Sequence, residues 1–257
     1  MNKIYVGLFG LLSAAGSNAQ ALISFSAVME SGATASWSVS GENLLLKGNS
    51  YAWSLDGGTD NPQNWVEVFD SAGELAFTIR NASVSVNSPS LDGEGLQKSA
   101  TPGSASLVTT FDIFAGFQNS TIVVDSPVVS FDTLTNAAGR AEASVTLTPA
   151  GTPATISPID GGIYSADVNG SADSGTNFTT LLPEGTTAQF TGIDLADLSS
   201  SEFTPIADSV SSISSQFRFG VTAGALATGT GTFEIIPSPA TISLLAVSGL
   251  VAARRRG

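Results

Sequence analysis

The sequence predicts an all-β protein, an antiparallel β-sandwich of the jelly-roll kind. Short runs of alternating apolar and polar side chains recur between residues 22 and 235, and this period of two is typical of half-buried strands. Glycine, proline, asparagine, aspartate and serine separate the runs, and these residues favour turns. Many short strands divided by turns indicate a sandwich or a barrel.

The strand pattern starts near the N-terminus and continues to the C-terminal quarter of the chain. Residues 35–40 place Trp37 and Val39 on one face and serines on the other. Runs of the same character follow at residues 51–55, 76–86, 107–114, 122–124, 128–129, 141–148, 217–221 and 230–235. The glycine-rich run at residues 228–232 is interpreted as a strand end or a flexible approach to the C-terminal tail.

Three segments depart from the pattern. Between residues 194 and 215, leucine, isoleucine and valine recur at spacings that predict one or two helical turns. Residues 87–106 and 149–162 are rich in Ser, Pro and Gly, so the first is predicted to be a long loop and the second a candidate domain boundary. Because neither half of the chain holds many strands, we favour one sandwich over two small β domains.

The composition limits the chemistry that is available. Hydrophobic residues make up 42% of the 257-residue chain, which includes 14 Phe, so a hydrophobic core is expected. The chain has no Cys and no His. Disulfides, the usual zinc, haem and copper sites, and Ser-His-Asp or Cys-His catalysis are therefore excluded.

The chain is acidic, with a net charge of −13. Lys3 and the three terminal arginines account for four of its nine basic residues. The segment between them therefore has 22 acidic and five basic residues, a net charge of −17. Such a surface repels nucleic acid and anionic lipid, so we expect no nucleic-acid partner.

Residues 1–21 have the organisation of a secretory signal peptide. Lys3 supplies the positive charge, and residues 4–15 form an apolar region too short to span a membrane. Residues 17–19 supply small side chains at a cleavage site after Ala19, and residues 19–21 form a second acceptable site. The segment predicts that the chain is exported. The domain that remains would span residues 22–235.

Residues 236–257 combine a proline motif, an apolar run and an arginine cluster. The motif is Pro237-Ser238-Pro239, and uncharged residues 240–253 follow it. A helix of these 14 residues would span roughly 21 Å, less than the ~30 Å hydrocarbon core. Arg254, Arg255 and Arg256 would stay on the cytoplasmic side of the membrane. The pattern predicts a short transmembrane helix that holds the chain transiently in the inner membrane.

The tail resembles the PEP-CTERM sorting signal of Gram-negative bacteria, with Ser238 where that family has Glu. The resemblance covers only about the last 22 residues. It implies export and processing at the proline motif by an exosortase-type membrane peptidase. It also implies an association with exopolysaccharide and biofilm, at the cell surface or outside the cell.

One segment has the spacing of a calcium loop. Asp167, Asn169 and Asp173 place oxygen ligands at alternate positions, although Phe178 stands where an EF-hand needs an acidic residue. Similar acidic turns occur at residues 56–61 and 92–94. The alternative is that these are ordinary acidic turns, since Asp, Asn and Gly favour turn conformations. No other cofactor is expected.

Two carboxylate pairs and one tryptophan are candidates for glycan chemistry. Glu67 with Asp70, or Asp194 with Asp197, could act as a glycosidase pair if they faced each other across a sugar. Trp65 lies on the strand face opposite Val66 and Val68 and is the best candidate for an exposed stacking platform. Trp37 and Trp53 are more simply core residues.

The sequence therefore favours a non-catalytic, exported protein of the cell surface or extracellular matrix. A carbohydrate-binding module that uses Trp65 is the alternative, and a glycoside-active enzyme is a less favoured one. Extracellular polysaccharide is the partner that the first two hypotheses share.

Overall fold

The computed structural model describes residues 21–40, 45–47, 50–56, 64–88, 103–199 and 202–238. These residues form eighteen β-strands and no α-helix, so the prediction of an all-β chain is confirmed. Within the same ranges no helix is long and apolar enough to cross a membrane. The strands are β1 (Ala21–Met29), β2 (Thr34–Ser40), β3 (Leu45–Lys47), β4 (Ser50–Asp56), β5 (Val66–Phe69), β6 (Leu75–Asn87), β7 (Ala105–Ala115), β8 (Ser120–Asp125), β9 (Val129–Leu134), β10 (Ala137–Thr148), β11 (Ala154–Pro158), β12 (Tyr164–Val168), β13 (Thr176–Leu181), β14 (Thr186–Ala188), β15 (Ile193–Leu198), β16 (Thr204–Ile206), β17 (Val210–Val221) and β18 (Leu226–Pro237).

The strands form two nine-stranded antiparallel sheets. Sheet A has the order β13-β12-β17-β8-β1-β2, with β9, β11 and β14 attached at its sides. Sheet B has the order β15-β10-β18-β7-β6-β4-β3, with β5 and β16 attached. In each sheet a strand from the middle of the chain lies between an early and a late strand. β8 lies between β1 and β17, and β7 lies between β6 and β18.

Aromatic rings from both sheets pack together between them. Phe111 of sheet B lies 4.9 Å from Phe217 and 5.8 Å from Phe219 of sheet A, measured between ring centroids. Tyr164 packs on Phe217 at 4.8 Å. All four side chains are fully buried. The two sheets therefore share one core and form a sandwich-like fold.

Two glycines in β18 make room for these rings. A Cβ atom on Gly229 would lie 2.3 Å from Phe111 Cζ, and one on Gly231 would lie 2.4 Å from Tyr164 Cε2. The interpretation of residues 228–232 as a strand end or flexible approach was therefore wrong. The segment is the middle of β18, which pairs with β10 on one side and β7 on the other.

The helical turns expected between residues 194 and 215 are also absent from the described part of that segment. It contains β15, β16 and the start of β17. β15 pairs with β10, and β17 pairs with β9 and β12. The apolar residues whose spacing predicted helical turns take part in strand pairings. Buried serines in β17, namely Ser212, Ser214 and Ser215, interrupt the apolar alternation and hide the strand period.

Candidate functional site

The outer face of sheet A carries the most concentrated group of polar side chains that the structure brings together. Side chains alternate along a strand, so Tyr164 and Ala166 of β12 enter the core while Ser165 and Asp167 point to the opposite face. Asp167 is only 3% exposed even so. The charged group thus lies at the bottom of a depression and not on an open surface.

Two side chains hold the Asp167 carboxylate. Asn177 Nδ2 donates to Oδ1 at 3.2 Å, and Ser165 Oγ donates to Oδ2 at 3.1 Å. Burial raises the pKa of Asp167 above its ordinary value, the two hydrogen bonds oppose that rise, and the nearby charge of Asp173 adds to it. The carboxyl group is therefore easier to protonate in the folded protein than in the unfolded chain.

The polar surface continues across the neighbouring strands. On β17, Gln216 Nε2 donates to Asp125 Oδ1 of β8 at 2.7 Å. Ser24 of β1 donates to Asp125 Oδ2 at 3.2 Å. These hydrogen bonds fix the side chains of three adjacent strands in one band.

A cleft of about 320 Å³ lies over this part of sheet A. We call it the sheet A cleft, and its polar lining includes Ser165, Asp167, Asp173, Asn177, Gln216 and Arg218. Its rim includes a tight turn in which Asp160 and Gly161 have positive φ angles of 55° and 95°. Asp160 forms an ion pair with Arg218 across this rim. The cleft therefore offers both donors and acceptors to a polar ligand.

A second depression, of about 430 Å³, lies at the other end of the same face. Its lining includes Val28, Thr121, Gly220 and Ile159, and Ile159 also borders the sheet A cleft. Gly220 keeps the depression open at this point, because a side chain there would project towards Ser157 Oγ, with its Cβ atom only 2.6 Å away. Its described lining has no cluster of carboxylates, so this depression offers mainly a surface for van der Waals contact.

The three residues predicted to bind calcium do not act together in the structure. Asn169 Oδ1 accepts hydrogen bonds from the backbone N–H and the hydroxyl of Ser211, at 2.9 and 3.3 Å. Asp167 and Asp173 line the sheet A cleft, away from those bonds. Among the described residues, no three acidic side chains lie close enough together to hold a metal ion. Calcium binding stays a prediction.

The structure gives three of the four carboxylates in the predicted glycosidase pairs other hydrogen-bond partners. Asp70 Oδ1 accepts the backbone N–H groups of Ala72 and Glu74, so it stabilises a turn. Asp194 accepts a hydrogen bond from Thr146 on one face of β15, whereas Asp197 accepts one from the backbone of Leu182. Positions three apart on a strand point to opposite faces, which separates Asp194 from Asp197.

Trp65 lies where the strand period placed it, and a neighbouring side chain contacts one face of its ring. It is half-buried, and the Arg80 guanidinium carbon lies 4.6 Å from its ring centroid. Such a contact is a cation–π interaction, and it occupies a face that a sugar ring would need. Trp37 and Trp53 are also half-buried and pack on each other at 6.2 Å, against the core as expected.

Two residues of the predicted sorting motif are described. Pro237 is the last residue of β18 and lies opposite Ala137, and the backbone N–H of Ser238 donates to the Asn136 carbonyl at 2.6 Å. Several predicted positions lie outside the described residues, namely residues 1–20, Asp60, Asn61, Asp92, Glu94, Pro239, the apolar run 240–253 and Arg254, Arg255 and Arg256.

The comparisons with known proteins leave the family open. No family model matches the chain, and no curated protein matches it. Among solved structures, a T13 particle of infectious bursal disease virus matches with 11% identity over 88% of this chain and 67% of its own, at a TM-score of 0.26. The Gx strain of the same virus matches with 12% identity over 89% and 69%, at a TM-score of 0.25.

Sequence reasoning missed Asp125, Gln216 and Arg218 as site residues. Gln216 and Arg218 alternate with Phe217 and Phe219, so the apolar pattern of β17 already placed them on the outer face. Nothing in the local sequence indicated that β8 and β12 would lie on either side of them.

Proposed function

We propose that this protein is an exported, non-catalytic protein of the cell surface or extracellular matrix that is processed through its C-terminal sorting signal. The observation that carries the proposal is where the strands begin and end. β1 begins at Ala21 and β18 ends at Pro237. A leader cut after Ala19 and a tail cut at the proline motif would therefore leave every described strand in place.

Four carboxylates outside the sheet A cleft support the non-catalytic part of the proposal. Asp70, Asp125, Asp194 and Asp197 all accept hydrogen bonds that hold turns or neighbouring strands. A glycosidase needs two carboxyl groups that face each other about 5 to 9 Å apart across an open cleft. These four side chains instead serve the fold.

The finer parts of the proposal rest on the sequence. They are a jelly-roll winding of the sandwich, an N-terminal signal helix that ends before β1 and a short transmembrane helix over residues 240–253. The proposed path runs through the inner membrane, where an exosortase-type peptidase acts at Pro237-Ser238-Pro239, to the cell surface. Extracellular polysaccharide is the proposed environment.

Intact-mass analysis of the protein recovered from its producing cells tests this path. We expect a chain that begins at Gln20 and has lost Arg254, Arg255 and Arg256. A variant with alanine at Pro237 and Pro239 is the matched control and should keep its tail. Recovery of the wild-type chain with Gly257 still at its end would contradict the proposal.

A second candidate function is binding of a neutral saccharide in the sheet A cleft. The observation that favours it is the mixture of amide, hydroxyl, carboxylate and guanidinium groups around one concave volume of about 320 Å³. Polar groups placed in this way give orientation and specificity in ligand sites. Trp65, which the sequence nominated, is not part of this cleft.

A glycan array separates this candidate from the first. Gln216→Ala should abolish a positive signal, because Gln216 lines the cleft. Gln118→Ala is the matched control, since Gln118 is partly exposed and bonds Glu74 at a distant turn. No glycan binding by the wild type would remove the second candidate and leave the first intact.

A further inference from the structure

β2 is an edge strand of sheet A, and no described strand pairs with its outer edge. It pairs with β1 alone among the described strands. Its seven residues, Thr-Ala-Ser-Trp-Ser-Val-Ser, contain no charge, no proline and no glycine. The pairing with β1 is regular from Val39 to Thr34, and its one register shift lies at the Ser40 end of the strand, not in the middle as it does between β13 and β12. A row of backbone donors and acceptors on such an edge is a template for another strand.

The other described edge strands carry features that discourage pairing. Short length, charge, proline and register shifts all have this effect. β3, β14 and β16 have three residues each, with Lys47 in β3 and Pro205 in β16. β5 has four residues and Glu67, and β9 contains Asp132. β15 contains Asp194 and Asp197, and a register shift interrupts the pairing of β13 with β12.

The sequence of β2 is complementary to itself when two copies run antiparallel about Trp37. Ser36 of one copy would then oppose Ser38 of the other, Ala35 would oppose Val39, and the two Trp37 residues would oppose each other. Ser36 and Ser38 are exposed, whereas Ala35 and Val39 are buried. Hydroxyls therefore meet hydroxyls on the outer face, and apolar side chains meet apolar ones on the inner face.

We propose that two copies of this chain associate through their β2 strands, antiparallel and centred on Trp37, to join their A sheets. The contact is isologous, because the same surface is used by both copies, and so it closes at a dimer. A second copy is a suitable partner because β2 is neutral. Two acidic domains can approach at this edge without placing carboxylates opposite each other.

The register of the pairing gives a charge-swap test. In S36K/S38K each lysine would oppose a lysine of the second copy, and in S36E/S38E each glutamate would oppose a glutamate. Each variant alone should be monomeric in sedimentation velocity, while the wild-type full chain sediments at twice its 26.0 kDa mass. An equimolar mixture of the two variants should restore a dimer, and native mass spectrometry should find one copy of each.

Controls and contrary outcomes follow from the same register. S144K/T148K places the same charge on exposed positions of β10 and should leave the dimer unchanged. Circular dichroism checks that each variant keeps its strand content. If the double variant fails to fold, the milder S36K, in which the lysine would oppose a neutral Ser38, is used instead and should weaken the dimer. A monomeric wild type, a dimer that survives S36K/S38K, a mixture that stays monomeric, or larger open assemblies would each overturn the proposal.

Discussion

Adding one methyl group at Gly231 tests whether the two sheets are locked together by the aromatic rings between them. The Cβ atom of an alanine would lie 2.4 Å from Tyr164 Cε2 and 2.9 Å from Phe217 Cζ. Carbon atoms in favourable contact are about 3.5–4.0 Å apart, so both rings would have to move by roughly 1 Å. They are fully buried and pack on each other, which leaves little room for that movement.

The magnitude follows from two opposing effects. Overpacking of a core typically costs about 1–3 kcal/mol, and the short distances at Gly231 favour the upper part of that range. Alanine in a strand recovers about 0.5–1 kcal/mol through the unfolded chain. A net loss of about 2 kcal/mol is expected. This corresponds to a melting temperature roughly 4–8 °C lower in a domain of this size.

Urea denaturation and thermal melting, followed by circular dichroism, measure the change. Gly220→Ala is the matched control: it makes the same substitution inside a strand, but its Cβ would press only on Ser157 Oγ, which can rotate away. That variant should be as stable as the wild type or slightly more stable. If Gly231→Ala is as stable as Gly220→Ala, the rings are not tightly packed and the reasoning fails.

Three further predictions concern the ionisable groups. Since the pKa of Asp167 is raised, the folded state binds its proton first as pH falls, so this carboxyl costs stability at neutral pH. Asp167→Asn should therefore be more stable than the wild type at pH 7, and this difference should shrink towards pH 4. The free energy of unfolding is measured by urea titration at both pH values, and an equal difference at the two would contradict the prediction. Burial raises the pKa of Tyr164 above its ordinary value of 10.0, so stability should fall above pH 10 as the unfolded chain ionises. Tyr164→Phe should reduce that fall in melting temperature, and an unchanged alkaline profile would count against it. Arg140 and Glu234 form a 2.9 Å ion pair with both side chains more than 30% exposed, so Arg140→Gln should change the free energy of unfolding by less than about 1 kcal/mol. A larger loss, measured by urea denaturation, would mean that solvent screens the pair less than its exposure suggests.

The strand content could be predicted wherever one face of a strand alternates cleanly. Residues 141–148 place Ala143, Val145 and Leu147 on one side, and the structure buries all three in β10. The same holds for Phe217 and Phe219 in β17. In these segments the local pattern and the tertiary environment demand the same arrangement.

The rest depended on contacts between distant parts of the chain. The glycines of β18 look like a flexible link until Phe111 of the neighbouring strand β7, and Phe217 and Tyr164 of sheet A, are placed against them. The sheet A cleft combines residues of β12, β13 and β17, and its polar positions carry no motif. Trp65 was assigned the correct strand face, but its Arg80 neighbour comes from β6.

The positions of the terminal strands have a mechanical consequence. β1 lies between β2 and β8, and β18 lies between β10 and β7, so neither terminal strand is at an edge. Tension applied through the ends of the domain would load the flanking hydrogen bonds in shear along the strands. An edge strand would instead peel away one bond at a time. The topology would therefore make the described domain resist a force that pulls its two ends apart.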